Sequence, residues 1–188
     1  MIDIRVADAD DAGAIAEIYA PYVTNGHVSF ESEAPGAETM RARMAKHGGF
    51  YPWLVATIGE DGGMPRIVGY AYAAPFRDRP AYRYIVEASI YVSQEDTRRG
   101  VGRLLYGALM DTLRAQDFTR AVAVLALPNE ASIRLHEAVG FHRAGAIGEA
   151  GFKRNQWIDI GFWVCKLNDS ALPPQEPRPF STVGLVRY

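Results

Sequence analysis

Cysteine is almost absent from this chain. A single residue, Cys165, stands among 188, so no internal disulfide can form. That usage fits a reducing compartment. Cys165 lies within the apolar run from Ile160, with no activating group beside it, and reads as a small core residue rather than an acyl-carrying nucleophile. Long hydrophobic runs are also missing. Charge, Gly or Pro interrupts every apolar stretch within a few residues, so no segment suits a membrane span. Met1-Ile2-Asp3-Ile4-Arg5 lacks the basic start and apolar core of a secretion signal, and a cytoplasmic location is expected. Neither sign of charge dominates. The 20 Lys and Arg against 22 Asp and Glu leave a formal net charge of −2, with no basic stripe, which disfavours a nucleic-acid partner. Internal repeats and a second domain are absent as well. The length and the 48% apolar content suit one domain with a full core.

What is present alternates between two periods. Ile2, Ile4 and Val6 alternate with polar residues and indicate a strand. Asp8 to Asp11 offers helix caps, and Ala14, Ile15, Ile18, Tyr19 and Tyr22 follow at helical spacing, with Pro21 expected to break or kink the helix near its end. Residues 27–33 read as an extended or loop segment. Pro35 opens a second helix carrying Met40 and Met44, ending near Gly48-Gly49. Strands are expected over 53–58, 67–74 and 84–92, the first two joined by a hairpin turn at Glu60-Asp61-Gly62-Gly63. A Pro-bounded loop, Pro75 to Pro80, separates the last two. A helix bearing Leu104, Leu105, Ala108, Leu109 and Leu113 comes next. Ala121 to Leu127 is a continuous apolar run and reads as a strand buried on both faces. A short helix over 131–139 stops at Gly140, and strands over 141–147 and 157–167 close the pattern. The tail, with Pro173, Pro174, Pro177 and Pro179, is expected to be extended or loosely attached. The fold class is α/β with mostly antiparallel strands.

Chemistry concentrates where the strand ending in Ile90-Tyr91-Val92 meets Arg98-Arg99-Gly100-Val101-Gly102-Arg103 and then a long helix. Small residues let backbone approach an anion, the first turn of a helix leaves N–H groups without partners, and three arginines add positive charge. Such a turn makes a cradle for a pyrophosphate. A dinucleotide-binding turn would need a third small residue, where Leu105 and Tyr106 stand. A triphosphate-binding loop would need Gly-Lys-Ser/Thr, which is absent. The bland alternative is a solvated basic rim on a glycine-rich helix start.

The order of elements, with Arg-Arg-Gly-Val-Gly after a strand, resembles the GNAT acetyltransferase superfamily, although Thr97 stands where the family motif has Gln or Arg. Further segments are similar to the phosphinothricin acetyltransferase group: Tyr51-Pro52-Trp53-Leu54-Val55-Ala56, Gly69-Tyr70-Ala71-Tyr72-Ala73, Leu127-Pro128-Asn129 with Arg134-Leu135-His136-Glu137-Ala138, and Gly151-Phe152-Lys153. Trp157-Ile158-Asp159-Ile160-Gly161-Phe162-Trp163 and the Pro-rich tail are similar too, so the likeness spans Ile4 to about Pro179. It implies a GNAT fold over 1–168, a tail over 169–188, and a mixed sheet splayed in its middle. It also implies acetyl-CoA as cosubstrate, no metal, and a homodimer. The pantetheine arm is then expected on the backbone of Ile90, Tyr91 and Val92 and the pyrophosphate on Arg98, Arg99, Gly100, Val101, Gly102 and Arg103, with Asn129 and Ser132 also at the cofactor.

Acetyl transfer to an amine needs a base for the ammonium, polarisation of the thioester carbonyl, and stabilisation of the departing thiolate. Glu87, flanked by Val86 and Ala88, is the candidate base, because a carboxylate among apolar neighbours has a raised pKa. An outward strand glutamate is its bland alternative. His136 falls where the resembling group carries a residue facing the sulfur, and is expected to protonate the thiolate or polarise the amine. A backbone N–H near Tyr91 or Val92 is expected to take the oxyanion. The group's substrates are small amino acids such as phosphinothricin, methionine sulfoximine and methionine sulfone. That implies Arg77 and Arg79 for their anionic groups, with Phe30, Phe76, Tyr84 and Val86 around them and Glu31 and Lys153 nearby. Two other readings stand beside this one: acetylation of a protein amine, and a non-catalytic acyl-CoA-binding module.

Overall fold

The computed structural model describes residues 1–59 and 65–186. The hairpin turn expected at 60–63 lies outside these. Strand β1 (Ile2–Val6) is followed by α1 (Ala12–Thr24), α2 (Ala37–Ala45), β2 (Trp53–Ile58), β3 (Arg66–Pro75) and β4 (Ile85–Val92). Then come α3 (Val101–Ala115), β5 (Arg120–Leu127), α4 (Glu130–Ala138), β6 (Phe141–Lys153), β7 (Gln156–Lys166) and the short α5 (Phe180–Val183). The seven strands form one sheet in the order β1-β2-β3-β4-β5-β7-β6. All neighbours run antiparallel except β4 and β5. Among the described residues no helix is long and apolar enough to cross a membrane.

Alternation along the strands divides the core in two. Val55, Tyr70 and Tyr91 face α1 and α2, meeting Ile15, Tyr19, Val23 and Met40. Leu54, Ala71, Val86 and Ala88 face the other way, onto Leu105, Tyr106, Leu109 and Leu113 of α3. Cys165 is sealed in this second core, and burial pushes its thiol up, as suits an inert packing residue.

The parallel ladder between β4 and β5 covers only Ile85–Glu87 against Arg120–Val122. Beyond Glu87 the strands part, while β5 stays paired with β7 along its whole length. A wedge-shaped gap therefore opens in the middle of the sheet, with Glu87 at its apex.

Three expectations are corrected. Helix α1 runs through Pro21 to Thr24 without breaking. Strand β6 extends six residues past Ile147, to Lys153, and turns back through Arg154 and Asn155, both at positive φ (52° and 60°). Register shifts after Arg143 and after Ile147 interrupt its alternation, which hid the strand from the sequence pattern. The Pro-rich tail is docked rather than loose. Arg178 N–H donates to Gln116 O at 2.8 Å, Phe180 N–H donates to Phe50 O at 2.9 Å, and the Phe180 side chain is buried in the α3 core.

Candidate active site

Backbone alternation decides what lines the gap. Ser93 N–H donates to Val68 O at 2.8 Å, and the β3–β4 register is unbroken. In an antiparallel pair only every second residue exchanges hydrogen bonds with its opposite. The odd-numbered residues of β4 therefore commit their N–H and C=O to β3, and Ala88, Ile90 and Val92 turn theirs to the gap. Two side chains agree with this: Tyr106 donates its hydroxyl to Ala88 O at 3.3 Å, and Tyr22 donates to Val92 O. Of the three residues expected to meet pantetheine, Ile90 and Val92 present backbone to the gap, and Tyr91 does not. Tyr91 instead buries its ring edge-on against Tyr19 and Tyr22.

The glycine turn follows directly. Gly100 caps α3 at φ 83°, a left-handed conformation that a Cβ disfavours, and Arg98 beside it is also left-handed at φ 65°. Helix α3 begins at Val101 without a side-chain cap, so its first amides are left for an anion. Gly102 has a different reason. A Cβ there would stand 3.0 Å from Leu135 Cδ2, so its smallness lets α4 approach α3 beside the gap. Below the turn, the Asp96 carboxylate is buried. It accepts from Arg66 at 2.8 and 3.2 Å and from Arg99 at 2.8 Å, and these arginines hold it below the usual carboxylate range. Arg99 thus braces the turn from within. Arg103 lies on the outer side of α3, where it lines a groove with Ile2, Ile4 and Leu104.

Glu87 is half-buried on the face that carries Tyr72 and Ser89, opposite Ala74 of β3. Burial pushes its carboxyl above the ordinary value, and the positive charge of Arg77 opposes that rise. Arg77 lays its guanidinium over the Phe76 ring, 4.3 Å from the centroid, and donates to Phe76 O at 2.7 Å. Arg77 is therefore near enough to Glu87 for its charge to act on the carboxylate. Arg79 sits further along the same loop, where its carbonyl accepts from Tyr82 N–H at 2.9 Å.

On α4, Asn129 caps the helix by accepting the Ser132 N–H at 3.2 Å. His136 is buried one turn on, against Tyr106 and Phe141. Its Nδ1 lies 2.8 Å from Ser132 O and 3.3 Å from Ser132 Oγ. A carbonyl only accepts, so the proton sits on Nδ1 and Nε2 carries the lone pair. Burial pushes the imidazole pKa down, against the lift from the Ser132 carbonyl. Burial therefore favours the neutral ring, and with the proton on Nδ1 the atom it offers as an acceptor is Nε2. Of the two parts expected of His136, protonating the thiolate or polarising the amine, this tautomer suits the second.

Several expected substrate contacts lie elsewhere. Val86 is 0% exposed and belongs to the α3 core, since it points away from the Glu87 face. Tyr84 turns its hydroxyl to Glu176 of the tail, at 2.7 Å. Lys153 gives its ammonium to three carbonyls, Val23 O, Ser29 O and Glu31 O, at 2.6, 2.7 and 2.8 Å. It clasps the β6–β7 hairpin to the segment between α1 and α2 and has no proton left for a substrate. Phe30, unlike these, keeps its ring partly exposed, laid on Gly151.

Sequence reasoning placed Glu31 near the substrate but missed its partners on the α2 side. Glu31 is held bidentately by Arg43, both contacts 2.8 Å, and by the Tyr19 hydroxyl at 2.8 Å. Arg43 keeps Glu31 below its usual range and is itself pushed up by that carboxylate. Arg43, Lys46, Trp53 and Tyr72 line a cleft of about 150 Å³ beside Ala74, one strand away from Glu87. Helix α2 has only Met40 fully buried, so its sequence gave no sign that Arg43 points inward.

Comparison with known proteins agrees with this geometry. Residues 4–161 match the acetyltransferase (GNAT) domain family. The phosphinothricin N-acetyltransferase of Streptomyces viridochromogenes is 37% identical over 182 residues, covering 97% of this chain and 96% of its own. The L-methionine sulfoximine/L-methionine sulfone acetyltransferase of Salmonella typhimurium is 33% identical, covering 90% of this chain and 97% of its own. The crystal structure of a GNAT superfamily phosphinothricin acetyltransferase from Sinorhizobium meliloti in complex with AcCoA superposes with a TM-score of 0.83 at 35% identity, over 97% of this chain and 95% of that one. With its sheet open between β4 and β5 and a left-handed glycine turn at the head of α3, this chain belongs to the GNAT family of acetyl-CoA-dependent N-acetyltransferases.

Proposed function

We propose that the protein acetylates the α-amino group of a small amino-acid-like acceptor of the phosphinothricin, methionine sulfoximine or methionine sulfone type, by direct transfer within a ternary complex. The observation that carries this reading is the gap itself: it is lined by the backbone of Ala88, Ile90 and Val92, with a half-buried carboxylate, Glu87, at its apex. The thioester of acetyl-CoA supplies an activated acyl group. The first amides of α3, with Gly100 and Arg98, hold its diphosphate. Ile90 and Val92 pair with the pantetheine amides, and Asn129 and Ser132 border the same arm.

Glu87 takes one proton from the acceptor ammonium, directly or through water. The amine nitrogen then bonds the thioester carbon, and a gap-facing N–H of β4 stabilises the oxyanion. The C–S bond breaks, and the second proton of the former ammonium passes to the departing thiolate. The sum is one amide, one thiol and one proton released through Glu87. His136 Nε2 accepts a hydrogen bond at this end of the gap and orients its partner. Arg77 and Arg79 meet the acceptor's anionic groups, and Phe30 and Phe76 wall its carbon chain.

The same reading makes the enzyme cytoplasmic and dimeric. Strand β6 is almost wholly exposed, and Ile147 and Phe152 on β6 with Trp157 on β7 offer exposed apolar side chains. Thiol release from acetyl-CoA, measured over a panel of amino acids and peptides, tests the substrate class. Turnover on methionine sulfone or phosphinothricin is expected. Turnover on peptides alone would transfer the site to protein amines, and tight binding without turnover would make it a sensor.

A further inference from the structure

The loop that carries Arg77 and Arg79 is gripped from outside by the tail. Glu176 uses both carboxylate oxygens. Oε2 accepts from Arg83 Nε at 2.8 Å, and Oε1 accepts from Arg83 Nη2 at 2.6 Å and from the Tyr84 hydroxyl at 2.7 Å. Arg83 also lies over the Tyr84 ring, 4.4 Å from its centroid, and donates through Nη1 to Pro80 O at 3.1 Å. One residue before Arg83, Tyr82 packs edge-on against Phe76 at 5.8 Å, and Phe76 carries Arg77 on its ring and carbonyl. A continuous series of contacts thus runs from the tail to Arg77, the cation whose charge acts on Glu87.

The tail is itself anchored two residues further on. Arg178 exchanges backbone and side-chain hydrogen bonds with Gln116, and its Nε donates to Asp117 at 2.8 Å. Phe180 is buried just beyond. An isolated exposed ion pair contributes little, because ordering two long side chains offsets the attraction. Here the carboxylate sits beside a docked chain and meets a planar guanidinium and a phenol at once, so much of that ordering is already in place. The other end of the loop is fixed too, since Thr119 N–H and Oγ1 both donate to Tyr84 O, at 2.9 and 3.0 Å.

We propose that Glu176 is a positioning residue for the acetyl acceptor: through Arg83 and Tyr84 it sets the loop over 76–84 at the height from which Arg77 and Arg79 receive the substrate's anionic groups. This rests on the acceptor reading given above. The tail is then part of the substrate site's frame, and the diphosphate turn at the far end of β4 does not depend on it.

Steady-state kinetics of the full chain test this, with acetyl-CoA and methionine sulfone or phosphinothricin, alongside amide hydrogen exchange over 76–84. Glu176→Ala and Arg83→Glu should each raise the acceptor KM about three- to tenfold, leave the acetyl-CoA KM unchanged, keep kcat within about twofold, and speed exchange in the loop. The charge-swapped pair Arg83→Glu with Glu176→Arg should recover part of the acceptor KM and of the protection together, since the ion pair is remade while the donation to Pro80 O is not. An unchanged acceptor KM with unchanged exchange overturns the proposal, as does equal damage to both substrates that the swapped pair does not repair. If the wild-type chain turns over no amino acid, the acceptor reading fails. Loop exchange then decides alone: faster exchange in Glu176→Ala, partly restored in the swapped pair, keeps the strut, and no change removes it.

Discussion

His136 Nδ1 stands 2.8 Å from the carbonyl oxygen of Ser132, four residues back on α4. That contact assigns the tautomer and leaves Nε2 as an acceptor. Burial pushes the pKa down and favours the neutral ring. The unfolded chain takes a proton near the ordinary histidine value, about 6.5, and the folded chain resists it until lower pH. Stability is therefore expected to fall as pH drops below that value. NMR titration of the His136 ring should show a midpoint below the ordinary value; a midpoint at or above it would return the residue to a donor's part.

Glu87→Gln keeps the shape of the side chain and removes its basicity. The expected result is a fall in kcat of about 10²–10⁴-fold with acetyl-CoA affinity unchanged, since the cofactor meets backbone on β4. In the wild type, the acid limb of kcat/KM should lie above the ordinary carboxylate range, as burial raises this group. A glutamine variant that keeps the wild-type rate and pH profile would remove Glu87 as the base.

Arg77 opposes the rise in the Glu87 pKa. Without its charge the carboxyl climbs further, so Arg77→Ala should move the acid limb to higher pH and raise the acceptor KM. Arg77→Lys keeps the charge and should move the limb less. A limb that stays in place in the alanine variant would separate the two residues.

The braced carboxylate below the glycine turn should matter to the fold. Asp96→Asn removes a buried anion and leaves two arginines that reach solvent, which costs about 1–3 kcal/mol in urea unfolding. Because its partners depress the Asp96 pKa, that contribution is present above the unfolded value, about 3.9, and is lost as pH falls through the lower folded one. An asparagine variant as stable as the wild type at pH 7 would make the brace incidental.

Much of this architecture was legible because it follows period and turn chemistry. The alternation in Ile2, Ile4 and Val6, the helical stripe of α3 and the glycine turn each repeat a local rule that the structure obeys. What stayed hidden depends on which way a residue faces. Val86 and Glu87 are adjacent, and only the β3–β4 register sends one into the α3 core and the other to the site. Tyr91 was expected at the cofactor because the family resemblance points to the whole strand end, whereas the parity of its hydrogen bonds is not visible in sequence. Arg43 and Glu31 lie 12 residues apart, on a weakly apolar helix and an irregular segment, and no periodicity links them. Gly102 was read as an approach for an anion, and the sequence did not show that a Cβ there would also meet Leu135, from a different helix. The tail was judged by proline content, which reports its lack of regular structure and nothing of its docking.

A crystal structure with acetyl-CoA bound puts the central claim to its most direct test. The account predicts the diphosphate on the amides of residues 99–103, pantetheine hydrogen-bonded to Ile90 and Val92 but not to Tyr91, and the thioester carbon on the side of the gap that Glu87 faces. A diphosphate bound away from that turn, or a thioester shielded from Glu87 by the sheet, would contradict it.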